Sequence, residues 1–184
     1  KVIWVGTDDG NVQVTRDGGQ HWNNVTGNAH VPANSWVSYI DAGHYDSGTA
    51  YVTFDRHTFG DMTPMVYKTT DFGAHWQQLA GAGDAKGLRG YAHVVREDPV
   101  NPGLIYAGTE FGLWISADDG AHWAQFKPND FPSVAVRDIA IHPRDSDLVV
   151  ATHGRGIWIV DDIMPLRALT PEALAKDAFF VQAR

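Results

Sequence analysis

Short apolar runs alternate with polar turns along most of the chain. Runs such as residues 2–6, 49–54 and 104–108 are rich in Val, Ile, Tyr and Trp, which favour strands, and Gly, Asp, Asn and Pro bound them. No amphipathic helical period of useful length occurs before residue 171. The pattern therefore predicts an all-β chain of short antiparallel strands.

One eight-residue motif recurs along the chain, and we name it the aspartate box: Ser or Thr, any residue, Asp, any residue, Gly, any residue, His, Trp. The copies occupy residues 15–22, 69–76 and 116–123. A worn fourth copy begins at Asp162, where Met164 and Arg167 replace the glycine and tryptophan. Copies about 50 residues apart, each with about four short strands, are typical of a β-propeller.

The repeat divides the chain into about four blades, each a four-stranded antiparallel sheet. The blades cover about residues 1–30, 31–80, 85–130 and 131–170. We expect the first blade to lack its innermost strand and the fourth to end with a strand at 165–169. Residues 171–184 are predicted to contain a short helix capped by Thr170 and a terminal strand at 178–181. This strand either completes the first blade or leads into a further domain.

Each aspartate box is predicted to form the hairpin between the third and fourth strands of its blade. The carboxylate accepts backbone N–H bonds, glycine supplies the positive φ, the hydroxyl ties the loop, and tryptophan is buried between blades. We therefore expect a structural role and not a catalytic one for these residues. They are Asp17, Gly19, Trp22, Asp71, Gly73, Trp76, Asp118, Gly120 and Trp123.

The histidines and acidic runs do not predict a metal site. His21, His75 and His122 precede the box tryptophans, but they belong to different blades and should lie far apart. The run Asp8-Asp9-Gly10-Asn11 lacks the later acidic ligands of a calcium loop. We predict neither a metal nor a cofactor.

The composition narrows the function classes. The net charge of −8 argues against nucleic acid, which is bound by clustered Lys and Arg. The absence of cysteine excludes disulfides, and no apolar stretch of about 18 residues predicts a membrane span. An apolar content of 43% is that of a globular domain.

The boxes, together with residues 67–71, 96–102, 108–113 and 152–162, resemble the BNR or Asp-box repeats of sialidases, sortilin-type (Vps10) propellers and some xyloglucanases. The resemblance covers nearly the whole chain and is closest to large bacterial BNR-repeat proteins named as glycosyl hydrolases. It implies the C-terminal part of a longer propeller and a secreted or periplasmic protein. Because Lys1 leads straight into a strand, we expect a piece of a longer protein, or a ring that a second copy completes.

The resemblance implies an active site over the central channel, at the end opposite the boxes. The loops between second and third strands emerge there, and each blade supplies ionisable side chains to that end. They are Asp8, Asp55, Arg56, His57, Glu110, His153 and Arg155.

Two chemical interpretations of this set stay open. A glycosidase needs two carboxylates about 5–9 Å apart, and Glu110 and Asp55 lie on adjacent blades. A sialidase needs three arginines, for which Arg56, Arg155 and Arg89 are the choices, and a nucleophile such as Tyr91.

A third interpretation is that these loops are polar only because they lie at the surface. Arg155 and Glu110 would then form an ion pair between blades. We expect a binding or scaffold module for a protein or carbohydrate partner, with a glycoside hydrolase as the alternative.

Overall fold

The computed structural model describes residues 1–81, 87–128 and 131–181, in which fourteen strands form four antiparallel sheets. The first sheet contains β1 (Ile3–Gly6), β2 (Val12–Thr15) and β3 (Asn23–Asn24). The second contains β4 (Trp36–Ala42), β5 (Ala50–Arg56), β6 (Asp61–Thr69) and β7 (Gln77–Ala80). The third contains β8 (Ala92–Glu97), β9 (Ile105–Thr109), β10 (Gly112–Ser116) and β11 (Ala124–Gln125). The fourth contains β12 (Val136–Ile141), β13 (Leu148–Thr152) and β14 (Ile157–Val160).

The predicted all-β architecture of about four blades is confirmed. Each sheet is a meander in chain order, and the first lacks an innermost strand, as expected. Two single-turn 3-10 helices, Thr26–Ala29 and His57–Phe59, lie in loops. None of the helices in the described ranges is long and apolar enough to span a bilayer.

Three apolar cores hold the blades together, one at each blade–blade interface. Neighbouring residues of one strand belong to different cores, because side chains alternate across a sheet. In β5, Val52 and Phe54 pack towards the first blade, whereas Tyr51 packs towards the third. In β9, Ile105 packs towards the second blade and Tyr106 towards the fourth. Each sheet therefore contributes one face to each neighbour.

The fourth blade corrects the predicted strand at 165–169. Residues Met164–Arg167 form a helical turn, α1, with Pro165 in its first turn, and this sheet has only three strands. The turn is anchored by Arg167, whose Nε lies 3.0 Å from both carboxylate oxygens of Asp98 and whose Nη1 donates to Ser146 Oγ at 2.8 Å. Ile163, just before the turn, is buried. These contacts stabilise the helical turn in the place of a fourth strand.

The C-terminal segment begins as predicted and ends differently. Helix α2 (Pro171–Leu174) starts after Thr170, whose hydroxyl accepts the N–H of Ala173 at 3.2 Å. Residues 178–181 form no strand, so they complete no sheet among the described residues. Phe180 is fully exposed, so this apolar run buries too little surface to hold a paired strand.

The aspartate boxes form the predicted hairpins, and the first three blades share the same hydrogen-bond pattern. In the third blade Asp118 Oδ1 accepts the Ser116 hydroxyl at 2.8 Å and the His122 N–H at 2.9 Å. The Ser116 hydroxyl also accepts the N–H of Gly120 at 2.8 Å. His122 Nδ1 lies 2.7 Å from Asp118 Oδ2, so the box histidine bonds the second carboxylate oxygen of the aspartate in its own box.

A backbone hydrogen bond shared by all four blades aligns Asp162 with the aspartates of the three boxes. The residue after each box aspartate donates its N–H to a carbonyl of the preceding segment of the same blade. The donor and acceptor pairs are Gly18 and Lys1, Phe72 and Gly48, Asp119 and Gly103, and Ile163 and Ser146. The fourth copy therefore keeps this backbone hydrogen bond, although Val160 stands where the other copies have Ser or Thr and the positive φ lies at Asp162 itself.

The box tryptophans differ in burial. Trp123 is buried and donates its indole N–H to Leu79 O of the preceding blade at 3.3 Å. Trp76 is half-buried and meets Trp4 edge-on, with ring centroids 6.2 Å apart. Trp22 departs from the prediction because it is 40% exposed, and no described blade precedes the first sheet on that side.

We expect Asp118→Ala to lower the free energy of unfolding by about 1–2 kcal/mol, because His122 and Ser116 lose their shared acceptor. The control is Asp161→Ala, which removes an exposed aspartate and should change the value by less than about 0.5 kcal/mol. Urea unfolding followed by tryptophan fluorescence measures both. Equal losses in the two variants would contradict a structural role for the box.

The box aspartates also predict a pH dependence. Hydrogen bonds from the backbone and ring of His75 lower the pKa of Asp71 to about 2, against 3.8 ordinarily. A lowered folded pKa stabilises the fold above the unfolded pKa, and this stabilisation disappears as pH falls from about 4 towards 2. Urea unfolding of Asp71→Asn should therefore show a deficit at pH 6 that shrinks below pH 4. A deficit independent of pH would refute this linkage.

Candidate functional site

The loops between second and third strands gather at the end of the sheets opposite the boxes, as predicted. This end, which we call the funnel end, comprises the connections at residues 7–11, 57–60, 110–111 and 153–156. The first strand of each of the last three blades also begins there.

The predicted residues Asp55, Glu110 and His153 occupy one repeat position. In each blade, one residue of the second strand pairs with the first-strand residue that immediately precedes a β-bulge. Asp55, Glu110 and His153 are the residues that come directly after that second-strand residue. These pairs are Phe54 with Val37, Thr109 with Ala92, and Thr152 with Val136. The repeat therefore places three different ionisable groups at equivalent points of three blades.

A β-bulge interrupts the first strand at the same point in each of these blades. The extra residue is Ser38 in β4, His93 in β8 and Arg137 in β12. A bulge re-aims the side chain that it carries. Sequence analysis missed these three residues, because a one-residue bulge does not change the apolar pattern of so short a strand. The available signal was that each is a polar residue near the start of a first strand.

Asp55 is the centre of a group of side chains from three blades. Its side chain is fully buried. Oδ1 accepts the backbone N–H of His57 at 2.9 Å and lies 2.6 Å from His57 Nδ1, while Oδ2 lies 3.3 Å from His93 Nδ1. Both carboxylate oxygens are therefore engaged.

These contacts fix the charge of Asp55. Burial acts to raise its pKa, but hydrogen bonds from His93 and from the backbone and ring of His57 outweigh burial and hold the pKa below its ordinary value. Asp55 is therefore a carboxylate at neutral pH. Because its oxygens face the two histidines, it orients them: His57 directs Nδ1–H to Asp55, which leaves Nε2 as an acceptor.

Tyr91 and Arg137 extend the group. The ring of His57 stacks on Tyr91 with centroids 4.5 Å apart and planes 19° apart. Arg137 Nη2 donates to Tyr91 Oη at 3.3 Å, and Arg137 Nη1 lies 3.3 Å from His93 Nδ1. We call Asp55, His57, Tyr91, His93 and Arg137 the Asp55 cluster.

His93 Nδ1 has two neighbours that it cannot satisfy together. With a proton it donates to Asp55; without one it accepts from Arg137. Trp36 meets the His93 ring edge-on at 5.2 Å, which restricts the ring. The presence or absence of a proton on Nδ1 therefore decides whether His93 bonds Asp55 or Arg137.

The other predicted residues lie around the cluster and do not join it. Arg56 Nη1 donates to Ala33 O at 2.9 Å and to Ser35 Oγ at 3.2 Å, and its Nε lies 3.6 Å from Asp61 Oδ2. The side chain of Arg56 therefore contacts partners within the second blade and does not join the cluster.

Glu110 is half-buried beside the cluster, and its backbone N–H donates to Tyr91 O at 3.2 Å. Asp8, His153 and Arg155 are exposed, and none of the described ion pairs joins Arg155 to Glu110. The structure brings Asp55 and His57 together and leaves these residues at the rim.

The arginine trio expected for a sialidase does not converge on one group. Arg56 is held by Asp61 and backbone, whereas Arg89 and Arg155 are exposed. Tyr91 is buried, with its hydroxyl bonded by Arg137. The arginine that approaches Tyr91 is therefore Arg137, which none of the predicted sets contained.

The described residues contain no group of three or more potential metal-ligating side chains. The box histidines, considered above as ligands, each pair with the aspartate of their own box at 2.6–2.7 Å.

An apolar cavity of about 500 Å³ lies away from the cluster, against the outer edge of the third blade. Trp123 and Phe126 line one side, and Leu166, Leu169 and Leu174 line the other. Most of its lining residues are apolar, and the polar ones are Asp118, His122 and Gln125.

The fold was compared with known proteins. Neither a protein-family model nor a curated protein sequence matches the chain. Among solved structures, a GH74 enzyme from Niastella koreensis matches with a TM-score of 0.66 at 14% identity, over 88% of this chain and 26% of that one. A GH74 xyloglucanase from Xanthomonas campestris matches with a TM-score of 0.62 at 17% identity, over 88% and 27%.

A structure of YCF48 bound to a D1 peptide matches with a TM-score of 0.51 at 17% identity, over 87% of this chain and 61% of that one. The chain spans about a quarter of the two GH74 chains. At these identities the likeness shows the fold alone: this chain is similar to parts of β-propeller proteins.

Proposed function

We propose that this chain is a β-propeller binding module whose funnel end holds a peptide or protein partner. The observation that carries the proposal is the burial of Asp55, with both of its oxygens engaged by histidines. An extracytoplasmic location belongs to the same proposal and rests on the resemblance of the aspartate boxes.

Glycoside hydrolysis is the alternative, and the likeness to two GH74 enzymes favours it. That chemistry needs an acid that protonates the leaving group and a second carboxylate that reaches the sugar or a water. Asp55 is ionised and has no exposed side-chain surface, so it fits neither role. Glu110 is then left without the partner carboxylate that sequence analysis assigned to it.

The rim of the funnel end supports binding. Phe59 is 63% exposed and Phe111 is 47% exposed, and both lie in loops next to the Asp55 cluster. Exposed aromatic groups beside a fixed polar group are common in recognition sites, because they supply contact area at little entropic cost. The YCF48 neighbour is itself bound to a peptide, which shows that a related fold accommodates one.

Two measurements on the whole chain test the proposal. Incubation with xyloglucan should release no reducing ends. Arrayed 12-residue peptides should bind, and Phe59→Ser should weaken that binding at the funnel end. The matched control is Val100→Ser, which removes an equally exposed apolar side chain from a turn at the opposite end.

Release of reducing ends that Glu110→Gln abolishes would overturn the proposal in favour of hydrolysis. Peptide binding that falls equally in Phe59→Ser and Val100→Ser would overturn the assignment to the funnel end.

A further inference from the structure

Arg137 is a half-buried cation without a carboxylate partner among the described residues. Arg137 donates to Tyr91 Oη at 3.3 Å, and its Nη1 lies 3.3 Å from His93 Nδ1, which can accept only when that nitrogen carries no proton. A guanidinium has five N–H donors, so most of its capacity is unused by these residues. A partly desolvated charge in this state favours an anion.

The surrounding charges limit which anion fits. Asp55 lies in the same cluster, yet its oxygens face His57 and His93 and it makes no ion pair with Arg137. With both histidines neutral, Arg137 carries the one positive charge of the cluster and makes no ion pair among the described residues. A single charge with a planar fork suits a planar monoanion, which is a carboxylate, better than a dianionic phosphate.

Two further groups surround that position. The side chain of His57 is 31% exposed, and its Nε2 is left free when Nδ1 bonds Asp55. A Cβ on Gly90 would stand 2.9 Å from the Phe111 ring and 3.1 Å from Glu110 Cβ, so both residues lie next to the residue that precedes Tyr91. The half-exposed ring of Phe111 is therefore an aromatic surface at the rim of the cluster.

We propose that Arg137, with the Tyr91 hydroxyl beside it, binds a carboxylate carried by a peptide, whose neighbouring apolar side chain packs on Phe111. This inference rests on the proposed binding function and names its ligand chemistry. The peptide source is favoured over a sugar acid because the exposed aromatic rings of Phe59 and Phe111 at the funnel end suit apolar side chains.

The probes are acetyl-phenylalanine and its carboxamide, which differ in the carboxylate alone. In titrations followed by NMR on the whole chain, the acid should bind and the amide should bind at least about 10-fold more weakly. Arg137→Gln should weaken binding of the acid on the order of 10- to 100-fold. Arg137→Lys should restore part of it, because the charge returns without the fork.

The matched control is Arg155→Gln, the same substitution at an exposed arginine of the same blade and the same end. It should leave binding of the acid unchanged. The thermal unfolding midpoint of each variant separates lost binding from lost folding, and Tyr91→Phe supplies a second variant that removes one hydroxyl from the cluster.

Equal binding of acid and amide, or an Arg137→Gln variant that folds and binds the acid normally, would overturn the inference. Tighter binding of galacturonate than of acetyl-phenylalanine would overturn the peptide source, and tighter binding of inorganic phosphate would overturn the carboxylate. If acetyl-phenylalanine does not bind, but arrayed peptides bind in a way that depends on Phe59, this inference is overturned and the proposed function is retained.

Discussion

The structure depends on the burial of sheet faces between neighbouring blades, which covers both faces of the two middle sheets and one face of the first and fourth. Successive residues of β5, such as Tyr51 and Val52, lie in different cores, so one strand serves two interfaces. Apolar burial contributes about 25 cal/mol per Å², and a single blade would leave one or both faces in water. The order of blades in space therefore follows their order in the chain, and the aspartate boxes close the hairpins of sheets that this stacking holds together.

The same stacking assembles the Asp55 cluster. Its members come from the second, third and fourth blades, and His93 and Arg137 reach it from bulges at one repeat position. A single repeat could not build it. Asp55 contacts His93 across one blade interface, and Arg137 donates to Tyr91 across the next. The cluster can therefore form only when all three blades are packed in this register.

The sequence predicted the features that arise from local, repeated motifs. The predictions failed where contacts between residues far apart in the chain determine the structure. The boxes and blades follow from motifs whose contacts span four or five residues, such as Asp118 with His122. The strand predicted at 165–169 is helical because Arg167 bonds Asp98, far away in the chain. Asp55 was correctly expected at the funnel end, but its burial depends on His93, and no local pattern shows that contact.

Arg137 differs from the buried carboxylates because this half-buried cation has no oppositely charged partner among the described residues. Asp98 is paired with Arg167, Asp41 with Arg96, and Asp55 with two histidines, so each of these buried carboxylates has donors. Removing a charge from water without a partner is costly, so stacking alone would select either a pair or an apolar residue at position 137. A carboxylate lies in the same cluster and is turned to the histidines. We propose that an anion from outside the described chain completes this site, and the proposed binding of a carboxylate rests on that premise.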